Sequence, residues 1–175
     1  NRAQAYKYAA DMGACILQCS FGQDAGNLLS DADFETLYSF EADALNYFMT
    51  NPAPGNPVGG NFAIFASGNE GKDISAYPAA HNRYISVAAF GPDYLPTNYT
   101  NFGPGTNICA PGGDYAINST SAAPERSQIL STLPKEIGKG EYGYMQGTSM
   151  ACPHVSGVVA LALSYAKKLG KTFTY

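Results

Sequence analysis

The spacing of apolar residues along this chain switches repeatedly between a helical and an extended period. Residues 3–12 are helix-like, and Gly13 stands where a glycine ends a helix. "ACILQCSFG" then reads as a buried strand closed by a glycine turn. "DFETLYSFEADALNYFM" returns to helical spacing, with Asp33 and Glu35 near its start, where the helix dipole favours acidic groups. After the Pro/Gly loop "NPAPGNPVGG" come two more buried strands, "NFAIFASGNEG" and "RYISVAAF", and a short fourth, "TNICAPGG". "AINSTSAAPERS" predicts an exposed polar excursion before a fifth strand in "QILSTL", and a helix from about Thr148 to Leu169 closes the chain. Strands alternating with helices predict an α/β fold. Residues 1–175 are expected to belong to a single domain, with a mostly parallel sheet carrying helices on both faces.

Composition narrows the function classes. With 45% hydrophobic and 14% charged residues, the chain predicts a folded globular domain. A net charge of −4 with 10 Lys and Arg and no basic cluster argues against nucleic acid or an anionic membrane as the main partner. No run of about 18 apolar residues occurs, so no membrane span is expected. The N-terminal "NRAQAYKYAADMGA" has neither an initiator Met nor an apolar core and reads as the interior of a longer chain. Cys15, Cys19, Cys109 and Cys152 all lie in apolar stretches and are expected as buried small hydrophobes. Without ligand spacing around them, no metal and no cofactor are expected.

In parallel sheets, chemistry gathers at the carboxyl ends of the strands. The loops placed there are Ser20-Phe21-Gly22, Ser67-Gly68-Asn69 and the entry to the last helix, within "MQGTSMACPHVSG". That entry admits two readings. Thr148 or Ser149 is an N-cap, with Pro153 tolerated near the first turn. Alternatively, Ser149 is a nucleophile held where backbone dipoles favour developing negative charge. Asn69 is likewise either a turn asparagine or an amide donor to an oxyanion. The sharper readings converge on acyl transfer.

"GTSMACPHVSG" resembles the active-serine motif of the subtilisin-like serine proteases, the subtilases. "ASGNEG" resembles their oxyanion-asparagine segment and "CSFG" their substrate-strand segment. "YPAAHNRYISVAA", "NFGP", "CAPGGD" and "ILSTLP" follow in the family's order, so the resemblance covers nearly the whole chain. It implies a serine endopeptidase with Ser149 as nucleophile, and with Asn69 and the Ser149 N–H as oxyanion donors. It further implies that Ser20, Phe21 and Gly22 line the substrate strand, while Ala66, Ser67 and Gly68 wall the pocket before the scissile bond. Small walls suggest a roomy, largely apolar pocket, with Glu70 disfavouring an acidic side chain. Gly22, lacking a Cβ, leaves space for an extended peptide. Tyr77-Pro78 is expected to be cis.

The departures are as informative. In this family the triad runs Asp, His, Ser, and both partners precede the "CSFG"-like segment. Only 19 residues precede Ser20 here, and none resembles the aspartate strand or the His-Gly-Thr helix start. His154 stands five residues past Ser149, about 140° around the helix and facing away. His81 reads as a surface-loop residue. The resemblance therefore implies the C-terminal part of a catalytic domain, incomplete on its N-terminal side and inactive alone. Its implied partners are a peptide or protein substrate and the missing N-terminal half. The rival class is a pseudoprotease or binding module that holds peptide without cleaving it. Residues 114–127 look like an insertion, and "GPGTNICAPG" lacks the acid of a cation site found in some relatives. Asn98-Tyr99-Thr100 and Asn118-Ser119-Thr120 are formal glycosylation sequons. A secreted or extracytoplasmic location is implied by the family alone.

Overall fold

Four short strands, β1 (Ile16–Cys19), β2 (Phe62–Ala66), β3 (Ile85–Phe90) and β4 (Ile108–Pro111), pair in parallel and in chain order. They belong to a computed structural model that describes residues 1–118, 120, 124–137 and 140–173. Nearly every residue of β2 and β3 is buried, because helices cover both faces.

Alternation along the strands sorts their side chains into two cores. On one face, Ala63 and Phe65 meet Tyr6 of α1 (Arg2–Asp11), Phe34 of α2 (Asp31–Leu37), and Leu45, Phe48 and Met49 of α3 (Ser39–Thr50). On the other, Ile64, Ala66, Val87, Ala89 and Ala110 meet Ala151, Cys152 and Val155 of α4 (Thr148–Lys168).

The single helix expected over 33–49 is two helices, broken at Tyr38 (φ −120°). Ser30 caps α2 by accepting from the Asp33 N–H at 3.1 Å. The break lets Phe34 stack on Tyr77, centroids 5.8 Å apart, while Leu45 and Phe48 pack on the sheet. Tyr77–Pro78 is cis, as an aromatic before proline favours.

Other expectations are corrected. The fifth strand (β5, Ile129–Thr132) leaves the parallel sheet and forms an antiparallel hairpin with β6 (Tyr142–Met145), which the sequence did not announce. The polar excursion contains two 3-10 turns, Tyr115–Asn118 and Pro124–Ser127. Residues 119 and 121–123, among them the middle residue of the second sequon, lie outside the described residues. Asn98 of the first sequon is exposed. Only Cys19 and Cys152 are buried, whereas Cys15 is half-buried and Cys109 is exposed on the edge strand β4. Cys19 and Cys152 belong to opposite cores. Helix α4, at 21 residues, has a window of mean hydropathy 1.3 and is long and apolar enough to cross a bilayer. One face of it packs on the sheet, and a core helix passes the same test.

Candidate active site

The strand ends and the mouth of α4 meet in one place. A cavity of about 180 Å³ there is lined by Ser20, Phe21, Gly22, Ala66, Gly68, Asn69 and Ser149, all expected from the sequence. Ser67 is not among the lining residues. It is fully buried, and its hydroxyl donates to the Asn101 carbonyl at 3.2 Å. Gln23, Asp24, Glu70, Ala76 and Thr148 join the lining, so the pocket is smaller and more polar than expected and carries two carboxylates.

Helix α4 begins without a side-chain cap, which overturns the capping reading of Thr148 and Ser149. Its N-cap is Gly147 at φ 145°, a conformation side chains rarely adopt. The Thr148 N–H and hydroxyl both donate to Asn69 Oδ1, at 2.9 and 3.0 Å, and the Thr148 oxygen accepts from the Gly68 N–H at 3.3 Å. These bonds occupy the amide oxygen of Asn69, and its amide nitrogen has no hydrogen-bond partner among the described residues. The Met150 and Ala151 N–H groups bond to the Gly147 carbonyl. The Ser149 N–H has no partner among the described residues.

Ser149 is tied to the end of β1 in both directions. Its hydroxyl donates to the Ser20 carbonyl at 3.2 Å, and the Ser20 hydroxyl donates to the Ser149 carbonyl at 2.7 Å. Gln18 Nε2 donates to the Ser20 hydroxyl at 2.6 Å and lies 3.6 Å from the Cys152 sulfur. Burial raises the Cys152 thiol pKa, so Cys152 packs as a neutral small side chain under the nucleophile's helix turn.

Gly22 lines the cavity and is also closely approached by this chain. A Cβ there would stand 3.0 Å from the Tyr77 carbonyl oxygen, so the space that glycine frees is already filled by this chain. The Gln23 N–H bonds to that same carbonyl at 2.7 Å and pins the strap to the cis turn. Phe21 meets Phe65 edge-on at 6.1 Å, with the Arg2 guanidinium 4.5 Å over its ring.

Neither histidine reaches the serine hydroxyl by a hydrogen bond among the described residues. His81, expected on the surface, is 4% exposed, with Nε2 3.2 Å from Glu35 and its ring stacked on Tyr84 at 4.7 Å. His154 is exposed, and its Nδ1 lies 2.8 Å from the Met150 carbonyl oxygen. It does not face wholly away, because it lines a second cavity beside Ser149 together with Ile129–Ser131. Among the described residues, no group of three His, Cys, Asp or Glu is placed to hold a metal ion.

Comparison with known proteins gives the family. Residues 1–173 match the subtilase family. The chain is 37% identical over 121 residues to an extracellular basic protease of Dichelobacter nodosus, covering 66% of this chain and 17% of that protein. It is 30% identical over 165 residues to a thermophilic serine proteinase of Bacillus sp. strain AK1, covering 94% and 32%. The structure of the prenylagaramide maturation protease PagA superposes with a TM-score of 0.70 at 28% identity, over 97% of this chain and 50% of that one. Another relative is named a major intracellular serine protease, so the relatives' names span both sides of the cell boundary. The chain thus covers at most half the length of these aligned proteins. With its sequence matched from end to end and its strand ends gathered around one serine, the chain belongs to the subtilase family.

Proposed function

We propose that this chain supplies the nucleophile, oxyanion donors and substrate groove of a serine endopeptidase, and that it does not cleave peptides alone. The observation carrying this is the pair of bonds from Thr148 to Asn69 Oδ1. Held by its oxygen, Asn69 presents its amide nitrogen in the cavity it shares with Ser149, beside the unpartnered Ser149 N–H. Two donors on the wall of one cavity, one of them held in orientation beforehand, suit a tetrahedral oxyanion.

Ser149 Oγ attacks the peptide carbonyl carbon, and the carbonyl oxygen takes the negative charge against Asn69 and the Ser149 N–H. A base outside this chain takes the hydroxyl proton and passes it to the leaving amine, and water then releases the acyl group. In this chain that proton stays on Ser149 Oγ, hydrogen-bonded to the Ser20 carbonyl, which is too weak a base to take it, and Ser149 remains a weak nucleophile.

The base is supplied by the remaining part of the domain. The relatives' greater length supports this, as do Val158, Leu161 and Tyr165, which leave the outer face of α4 apolar and exposed. Asp24 and Glu70 in the pocket favour a neutral or basic side chain before the scissile bond over an acidic one. A location outside the cytoplasm is proposed on the names of some relatives alone.

The test is labelling with an active-site-directed fluorophosphonate. The isolated chain is expected to label at Ser149 very slowly, and the full-length protein quickly. Fast labelling of the isolated chain would overturn its inactivity, and no labelling of the full-length protein would favour a non-cleaving peptide-binding module.

A further inference from the structure

Asn101 stands on the loop between β3 and β4, and its side chain lines neither cavity beside Ser149. It is completely buried. Its amide spends its whole hydrogen-bonding capacity on one short stretch of chain. Oδ1 accepts from the Glu70 N–H at 3.1 Å and the Lys72 N–H at 3.0 Å. Nδ2 donates to the Ser67 carbonyl at 3.0 Å and to Glu70 Oε2 at 2.6 Å. Two donors facing the oxygen and two acceptors facing the nitrogen fix the orientation of the amide.

The backbone extends the clamp. The Asn101 N–H donates to the Gly68 carbonyl at 3.1 Å, and the Asn101 carbonyl accepts from the Ser67 hydroxyl. The Gly71 N–H donates to the Tyr99 carbonyl at 2.9 Å, and the Phe102 N–H to the Lys72 carbonyl at 3.0 Å. From Ser67 to Lys72, every residue except Asn69 is thus tied to residues 99–102. The approach is so close that a Cβ on Gly68 would collide with the Asn101 amide nitrogen and the Glu70 carboxylate.

We propose that Asn101 is a positioning residue for catalysis: it holds the loop so that Asn69 alone is free to meet the oxyanion, an inference that rests on the reading of Asn69 given above. An oxyanion donor works only if it is in place before charge develops. Thr148 sets the orientation of the Asn69 amide, and Asn101 sets the height of the backbone that carries it. No other side chain of this size offers two donors at one end and two acceptors at the other.

The test is a kinetic cycle in the full-length protein. Asn101→Ala is expected to lower kcat by about 10- to 100-fold with little change in KM, the scale of an ångström-sized misplacement. Asn101→Ala combined with Asn69→Ala should lose no more kcat than Asn69→Ala alone, because Asn101 acts through Asn69. Asn101→Asp keeps the shape but sets a carboxylate against the Ser67 carbonyl and Glu70. That neighbourhood raises the introduced group's pKa, so its kcat relative to the parent should recover as pH falls and the group is protonated. If the alanine variant does not fold, the aspartate variant and its own cycle with Asn69→Ala carry the test. Additive losses of kcat, a change confined to KM, or a flat pH ratio would overturn the positioning role. Should Asn69→Ala itself leave kcat intact, the oxyanion reading fails instead, which is a different result from Asn101 variants that stay fully active.

Discussion

On one face of the parallel sheet, three helices close over Tyr6, Phe34, Leu45, Phe48 and Phe65, and the large rings fill the space between the layers. On the other face a single helix, α4, lies over all four strands through Ala151, Cys152 and Val155. Small contact residues let α4 approach the sheet closely, so that its first turn meets the ends of β1 and β2 at hydrogen-bonding distance. Both layers also carry apolar side chains on their outer surfaces: over the aromatic core, Leu37 of α2 and Phe40 of α3 are 69% and 67% exposed. Val158, Leu161 and Tyr165 on the outer side of α4 are 65%, 72% and 62% exposed. One face supplies bulk stability, while the other supplies alignment and carries the apolar surface proposed above to meet the rest of the domain.

Thiol reactivity should show the largest contrast. Burial pushes the Cys19 thiol up to about 12, leaving about one part in 10⁴ as thiolate at pH 8. Cys109 is exposed on β4 and should alkylate first. The half-buried Cys15 should follow, then Cys152, carried on the single helix α4, and Cys19, under three helices, should react last and only on unfolding. Peptide mapping after timed alkylation checks the order. Cys19 reacting before Cys152 would reverse the ranking of the two faces.

A smaller effect tests the aromatic face alone. Phe48 is completely buried among α3, α1 and the sheet. Phe48→Ala should cost about 3–5 kcal/mol of unfolding free energy, read from urea titrations. A loss under about 1 kcal/mol would mean that this core repacks and is not the rigid side of the molecule.

How much of this was legible in the sequence depended on how local each cause is. β2 and β3 are readable because strands buried on both faces are continuous apolar runs, "FAIFA" and "ISVAAF". The break at Tyr38 is not, because Phe34, Leu45 and Phe48 fall on one helical face whether or not the helix runs through. β6 reads "YGYM", mostly exposed and interrupted by glycine, and exists only through its pairing with β5. At the site, the residue types of Ser149 and Asn69 announce their chemistry. The bond on which the proposed catalytic geometry rests joins Thr148 to Asn69 across 79 positions. The partners of Asn101 lie 29 to 34 positions away, and a lone buried asparagine carries no pattern of its own.

The smallest effect bears most directly on the α4 face. Leu161 projects from the middle of α4, 72% exposed, between Val158 and Tyr165 at helical spacing. In the isolated chain, Leu161→Gln replaces one exposed side chain with another of similar size and good helix propensity, so unfolding free energy should change by no more than about 0.5 kcal/mol. In the full-length protein, the same substitution would bury an amide against the remainder of the domain without a built partner, costing about 1–3 kcal/mol. The difference between the two measurements reads whether the face is covered. If instead the isolated chain self-associates through this face, the wild type should show concentration-dependent melting that Leu161→Gln abolishes. Equal small changes in the isolated and full-length proteins would show that α4 keeps this face in solvent, and that the rest of the domain does not meet it.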